Sequence, residues 1–369
     1  MSENGQVLEE KLERLKEEYS KTKYNKATNK HLGLLRAKIA SVKMEIIESR
    51  KRQRGTGFFV KKTGDATVAL VGFPSTGKSS LINSMCNTRS KTAQYAFTTT
   101  EIIPGVMLYK DSHIQIFDMP GLIEGAHLGA GGGIKVISAM KVADLVVFVI
   151  EINATEHLGL LLNELRQLKI HINETRPNIQ IMDSGGEAGI KIDMNKSTIK
   201  DKDVETILSG LGKHNVHIKI NCQVSEDDLI DLVANKSIYI RGIVALNKID
   251  TNSSYEAVAK KLSEQHKMTV VPISAKLGYN IERLKEEIYK NLDIMTVYLT
   301  QKRDREGAMP MVLKNGSTVG QVAKKFHTEI LDDLKCAYVN GKSVKFLRQR
   351  VGVDHVLEDG DRITFIKER

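Results

Sequence analysis

The sequence predicts an α/β protein of three parts. A basic helical region spans residues 1–62, and a parallel-sheet domain spans 63–292, interrupted at 170–240 by a small α+β insertion. A compact β-rich unit follows at 293–369. Three observations carry this reading. One is the phosphate-binding run Gly72-Phe73-Pro74-Ser75-Thr76-Gly77-Lys78-Ser79 between a strand-like and a helix-like segment. Another is a series of short apolar, β-branched runs that each end in a polar motif. The third is the shift to strand-and-turn patterning after Leu292.

Residues 6–20 set Val7, Leu8, Leu12, Leu15 and Tyr19 at helical spacing, and residues 31–49 repeat this with Leu35, Ile39, Val42 and Ile46. With the polar link 21–30 between them, an antiparallel helical hairpin is expected. Residues 21–62 carry thirteen Lys and Arg against Glu45 and Glu48 alone, and residues 301–369 carry fourteen basic against ten acidic groups. The net charge of +10 therefore sits at the two ends, which suits a polyanion such as RNA. A solvated coiled-coil arm explains the same pattern. The run Arg50, Lys51, Arg52 and Arg54, before Gly55-Thr56-Gly57, reads as an RNA contact, a nuclear import signal or a hinge.

Thr67–Val71 is an apolar strand and Ser80–Cys86 a helix, the context that the Gly72–Ser79 loop requires. The loop's backbone N–H groups and the positive end of the helix cradle phosphate. Gly72, Pro74, Ser75, Thr76, Gly77, Lys78, Ser79 and Ser80 are the candidate phosphate contacts. Lys78 reaches the β- and γ-phosphates and Ser79 presents its hydroxyl to Mg²⁺. Strands at Ile114–Phe117, Leu145–Ile150, Ile243–Leu246 and Val270–Ile273 follow, and open α/β sheets bind ligands at the carboxyl ends of such strands. Asp118-Met119-Pro120-Gly121 supplies a carboxylate at Asp118 that holds Mg²⁺ through a water and a γ-phosphate N–H at Gly121. Thr98, Thr99 and Thr100 compete for the remaining metal contact, and Thr99 is the favoured one.

Asn247-Lys248-Ile249-Asp250 selects the base. A carboxylate at Asp250 accepts from N1–H and the exocyclic amine of guanine, whereas adenine leaves it facing an acceptor and a C–H. Such a site rejects the wrong base by roughly 10⁴ or more. Asn247 contacts the imidazole edge and holds the phosphate loop. The Ser274 and Ala275 backbone meets the guanine carbonyl, and Lys276 packs nearby.

Asn247 comes 129 positions after Asp118, a longer stretch than such a domain needs. Strands at Gly189–Met194 and Val216–Val224, a helix at Asp203–Leu211, and a Ser225/Asp228 capping box before Leu229–Val233 fill the excess. The last unit reads as a strand at Met311–Leu313, a helix at Val319–His327, an Asn340-Gly341 hairpin over Ala337–Val344 and a strand at Ile363–Ile366. No apolar run approaches the length of a membrane span, no secretory signal opens the chain, and Cys86, Cys222 and Cys336 lack metal-ligand spacing. A cytoplasmic location is expected, with no membrane or DNA partner.

With these motifs stand Tyr24-Asn25-Lys26-Ala27-Thr28, Gly64-Asp65-Ala66, Arg176-Pro177-Asn178-Ile179, Asp227–Asp231 and Gln349–Asp359. Together they resemble the developmentally regulated GTP-binding proteins, a branch of the Obg-type GTPases, from end to end. The resemblance implies a Ras-like P-loop GTPase domain, an inserted ribosomal-protein-like subdomain and a C-terminal TGS domain of β-grasp shape. It further implies hydrolysis of GTP to GDP and phosphate, Mg²⁺ as cofactor with K⁺ a candidate, and a nucleotide switch associated with ribosomes or RNA in translation. A small dedicated accessory protein is the implied partner. Leu122 stands where Ras-like enzymes hold the attacking water with Gln, so slow hydrolysis without a partner or cation is expected. A binding scaffold with a structural nucleotide is the rival reading.

Overall fold

In the computed structural model, residues 3–22, 32, 35, 38, 39, 42, 64–86, 88, 89, 104–119, 132–184, 189–195, 197, 199–234, 237–300, 308–326 and 334–367 are described. The chain divides into two units, residues 1–59 with 165–239 and residues 60–164 with 240–369.

In the first unit, α1 (Glu3–Lys21) turns Leu12, Leu15 and Tyr19 to a half-buried stripe between exposed Glu and Lys. Leu32, Leu35 and Val42 are helical and buried, with Ile39 half-buried beside them. The predicted link between these segments and the run Arg50–Arg54 lie outside the described residues.

The second unit opens with β1 (Ala66–Val71), whose six residues are all buried, and continues into α2 (Lys78–Met85). Then come β2 (Thr88–Arg89), β3 (Pro104–Tyr109), β4 (Ser112–Asp118), α3 (Gly132–Met140), β5 (Leu145–Glu151) and α4 (His157–Gln167). The later stretch of the first unit then supplies β6 (Ile170–Ile172) and the insertion's β7 (Ile179–Asp183), β8 (Ile190–Met194), α5 (Asp201–Gly210), β9 (Val216–Ile220) and α6 (Glu226–Val233). The chain returns with β10 (Ile238–Asn247), α7 (Tyr255–His266), β11 (Val270–Pro272) and α8 (Ile281–Asn291).

The nucleotide-domain sheet runs β11-β10-β5-β1-β4-β3-β2. Its centre is parallel, with Leu70 beside Asp118 and Val147, so β1, β4 and β5 deliver their carboxyl ends to one edge. Val, Ile and Leu fill these strands because both faces are covered, α2 and α8 packing within one of the clusters. β3 joins β4 antiparallel through a two-residue turn in which Lys110 (φ 47°) and Asp111 (φ 58°) are both left-handed. Such a turn ordinarily takes Asn-Gly. Here neither residue is glycine, and both side chains are engaged from the C-terminal unit, as described below.

The insertion forms a three-stranded sheet, β7-β9-β8, with Ile218, Ile220, Leu208 and Leu229 in its own core. Both bonds of the Ser225/Asp228 capping box are present at the start of α6. The strand predicted over Val216–Val224 ends sooner, at Ile220. Asn221 N–H turns to Asn178 O, which takes the chain off the ladder before Cys222 and Val224.

The C-terminal sheet combines β12 (Ile294–Leu299), β13 (Met309–Lys314), β14 (Leu334–Asn340), β15 (Gln349–Val351) and β16 (Arg362–Lys367) in the order β13-β12-β16-β14-β15. Helix α9 (Val319–Phe326) covers one face, with Val319 and Val322 packed among Met295, Val297, Val339 and Ile363. Thr318 and Gln321 cap each other at its start. The hairpin predicted over Ala337–Val344 does not form: β14 pairs instead with β15, eight positions beyond Gly341. The physical reason is the buried Asp361. Gly341 (φ 153°) lies so close that a Cβ there would sit 2.1 Å from the Asp361 carboxylate, and Ser343 N–H points at the same oxygen. The chain is thereby drawn away from β14 at the point where the tight turn would close.

The same unit joins its two sheets through the β3–β4 turn. Asp359 accepts from Lys110 Nζ (2.8 Å), the Tyr289 hydroxyl (2.7 Å) and Thr296 N–H (2.9 Å). Thr296 Oγ1 donates to Lys110 O, and the Tyr298 hydroxyl donates to Asp111 at 2.7 Å.

Candidate functional site

Gly72 follows β1 because nothing larger fits: a Cβ there would lie 2.5 Å from Val149 O on the neighbouring strand. Pro74 and Ser75 are exposed at the loop's crest, with Ser75 left-handed at φ 63°. Thr76 is buried, and its hydroxyl donates to Phe73 O. Gly77 (φ 92°) is the N-cap of α2 and has no side chain to satisfy the helix's first N–H groups. Those donors, with the exposed Ser79 and Ser80, form a start of helix suited to an anion. Lys78 is buried and donates to Gly72 O (2.9 Å) and Phe73 O (3.0 Å). The loop thus satisfies its own lysine through carbonyls, which a phosphate would replace as acceptor.

Asp118, at the end of β4, has a buried carboxylate oxygen, Oδ1, with no hydrogen-bond partner among the described residues. Burial pushes its pKa up, against the opposing pull of the Lys78 charge and the Met119 N–H. An orphaned carboxylate oxygen beside the phosphate loop fits a hard divalent cation, which takes oxygen ligands. Ser79 adds a hydroxyl of the same type.

On the base side, Asn247 is buried and ties three segments together. Its Nδ2 donates to Thr76 O (2.8 Å), and its Oδ1 accepts from Ala275 N–H (3.0 Å). This close approach is why position 77 is glycine, since a Cβ there would sit 2.4 Å from Asn247 Nδ2. Asp250 follows on a short 3₁₀ turn, Ile249–Thr251, and is exposed. Ser274 Oγ donates to Asp250 Oδ1 at 2.6 Å, and this bond chiefly holds the carboxyl below its ordinary range, aided by the charges of Lys276 and Lys248. The carboxylate is therefore ionised and oriented to accept. Ser274 itself is fixed by paired backbone bonds with Tyr279.

Sequence reasoning missed two contacts. Glu151, at the end of β5, pairs with Lys248 at 2.8 Å, so the lysine of the base motif is held by a strand end that carried no motif of its own. Phe73 lies against His157 with ring centroids 4.2 Å apart, bracing the phosphate loop from the start of α4. The apolar Phe within an otherwise small and polar loop was the only signal for that brace. Thr98, Thr99, Thr100, Gly121 and Leu122 lie outside the described residues.

Comparison with known proteins gives a consistent picture. Residues 67–183 match the family described as 50S ribosome-binding GTPase, residues 187–294 match the C-terminal region of that domain, and residues 295–367 match the TGS domain. The chain is 38% identical to an uncharacterised GTP-binding protein of Methanocaldococcus jannaschii, over 98% of this chain and 93% of that protein. It is 37% identical to a developmentally regulated GTP-binding protein 2 homologue of Dictyostelium discoideum, over 97% of this chain and 99% of the relative. The human developmentally regulated GTP-binding protein 2 is 34% identical over 97% of this chain and 99% of its own length. Among solved structures, the Schizosaccharomyces pombe YchF GTPase is similar in fold, with a TM-score of 0.51 and 14% identity, over 83% of this chain and 99% of that one.

Proposed function

This chain belongs to the family of developmentally regulated GTP-binding proteins, and we propose that it hydrolyses GTP as a switch that associates with ribosomes or RNA. The observation that carries the guanine assignment is the base-side arrangement. Asn247 links the phosphate loop to Ala275, while Ser274 aims an ionised Asp250 as an acceptor for paired N–H donors.

Bound GTP with Mg²⁺ supplies the phosphoanhydride and the cation that neutralises it. The chain's own residues bind and orient. Lys78 exchanges the carbonyls of Gly72 and Phe73 for phosphate oxygens, and the uncapped start of α2 adds backbone donors. Ser79 and Asp118 would hold the cation, Asp118 through a water that its orphaned Oδ1 would accept from. Thr99 would give the cation its remaining contact, and the Gly121 N–H would meet the γ-phosphate. Leu122 offers no group to hold an attacking water, so hydrolysis is slow until an accessory protein, a monovalent cation or the bound target assists. A supplied arginine alone is worth about 10³- to 10⁵-fold. The basic excess of residues 21–62 and 301–369 supports association with RNA, in a cytoplasmic setting. Among the described residues, no helix is long and apolar enough to cross a membrane.

Single-turnover hydrolysis with and without ribosomes, paired with co-sedimentation in a non-hydrolysable GTP analogue or GDP, tests this reading. Stimulated turnover and retention that differs between nucleotides support the switch. Unstimulated turnover with equal retention assigns the chain to a scaffold instead.

A further inference from the structure

The five-stranded C-terminal sheet has two faces: one carries its own core, and Ile294 and Val312 at one end of the other are buried in the cluster shared with the nucleotide-domain sheet. Met295, Val297, Leu299, Ala337, Val339, Val351 and Ile363 all point toward α9. The alternate positions form the other face, where cross-strand pairing fixes two rows. In one row Pro310, Tyr298, Arg362 and Asn340 are successive partners. In the other Thr300 bonds Thr364, which pairs with Tyr338, which pairs with Arg350.

Arg350 and Arg362 are exposed, and both tyrosines are half-buried. Arg348 joins the face from the connection before β15, its guanidinium carbon 5.7 Å from the centre of the Tyr338 ring. Gln349 Oε1 accepts from Lys345 N–H (3.0 Å) and Phe346 N–H (3.3 Å), so the adjoining loop is held. It is held with Phe346 72% exposed and Leu347 90% exposed, flanked by Lys345 and Arg348. The β3–β4 turn closes one end of the face at Thr296, and Asp111 there accepts from Tyr298. Among the described residues of the two rows, none is a carboxylate.

We propose that this face binds single-stranded RNA, with bases stacking on Tyr338 and Tyr298 and phosphates meeting Arg348, Arg350 and Arg362. The proposal deepens the RNA part of the reading above and rests on it. Strands lie about 4.8 Å apart, so arginines and rings interleave at short intervals across the sheet. That is the combination by which single strands are held: a basic track for the backbone and π-faces for the bases. An acidic peptide would match the charge but would leave the rings without a stacking partner. A duplex would hide its bases from them.

The test is fluorescence anisotropy of an unstructured, labelled RNA of about twelve nucleotides, within the span such surfaces cover. It uses the full chain across a salt series. Arg350→Gln with Arg362→Gln should lower the slope of log affinity against log salt by about 1.4, as two lost phosphate contacts require. Tyr338→Ala should weaken binding about 5- to 150-fold, whereas Tyr338→Phe, which keeps the ring and the fold, should bind as the parent does. Thermal melts of each variant confirm that the sheet is intact. RNA binding that persists unchanged in the double arginine variant overturns this face while leaving RNA association standing. No binding by the parent chain overturns both. A duplex bound as tightly as the single strand, or polyglutamate displacing RNA at equal charge, also overturns the assignment.

Discussion

Removing the carboxylate of Asp359 should loosen the C-terminal sheet from the β3–β4 turn, and the size of the effect follows from what each partner loses. Thr296 N–H has its bond at 2.9 Å in a residue only 1% exposed, so Asp359→Ala leaves a buried donor unpaired. That costs about 1–3 kcal/mol. Tyr289 loses a 2.7 Å acceptor but keeps Thr296 Oγ1 at 3.1 Å, a loss of about 1 kcal/mol or less. Lys110 loses an ion pair whose side chains are 48% and 33% exposed, which contributes at most about 1 kcal/mol. The total is about 1–5 kcal/mol, or on the order of 10 °C in the melting of a domain this small. Lys110→Met removes the exposed pair and the contact of Lys110 Nζ with the Tyr289 ring (4.9 Å from its centre), leaves the buried bonds in place and should shift the transition by less. Differential scanning calorimetry of the two variants decides the matter. Equal shifts for both, or none for Asp359→Ala, would refute the claim that the buried bonds hold the contact.

Further outcomes follow from the same geometry. Burial alone would raise the pKa of Asp359, but the bonds from Lys110, Thr296 N–H and Tyr289 outweigh it and leave the carboxyl below its ordinary range. Its contribution is thus fully present above the ordinary carboxylate pKa and lost as pH falls through the depressed one, so acid should release the C-terminal transition in wild type and leave Asp359→Ala less affected. Gly77→Ala puts a side chain at φ 92° and against Asn247 Nδ2, and should cost about 1–2 kcal/mol of backbone strain. It should also weaken GDP binding in a titration; unaltered affinity would show that the Asn247–Thr76 link is dispensable. Burial pushes the Cys86 thiol up to about 11, against the opposing charge of Lys285. Only about one molecule in ten thousand then carries a thiolate there at pH 7. Alkylation of Cys86 by iodoacetamide should be far slower in the native protein than in urea, and equal rates would contradict the burial.

The phosphate loop and the base-recognition motif were legible because their chemistry demands fixed residue types at fixed local spacing. The strand before Gly72 and the capping box at Ser225 were legible for the same reason, since each signal is complete within a few residues. What escaped the sequence depends on partners far along the chain. Lys110-Asp111 makes a left-handed turn without glycine, beside bonds to Asp359 and Tyr298 at separations of 249 and 187 residues. Asn340-Gly341 has the composition of a tight hairpin, yet Asp361 bends the chain elsewhere. Glu151 looked like a polar strand end until Lys248 was brought beside it by the parallel pairing of β5 with β10.

Nucleotide selectivity of Asp250→Asn tests the central claim most directly. Titration of the parent chain should show tight binding of GDP and GTP and rejection of adenine nucleotides by roughly 10⁴ or more. The variant replaces an oriented acceptor pair with one acceptor and one donor, so it should lose guanine nucleotides and gain xanthosine nucleotides, whose base offers a carbonyl where guanine has an amine. Undiminished GTP affinity in the variant would contradict the assignment of Asp250, and with it the guanine-specific switch.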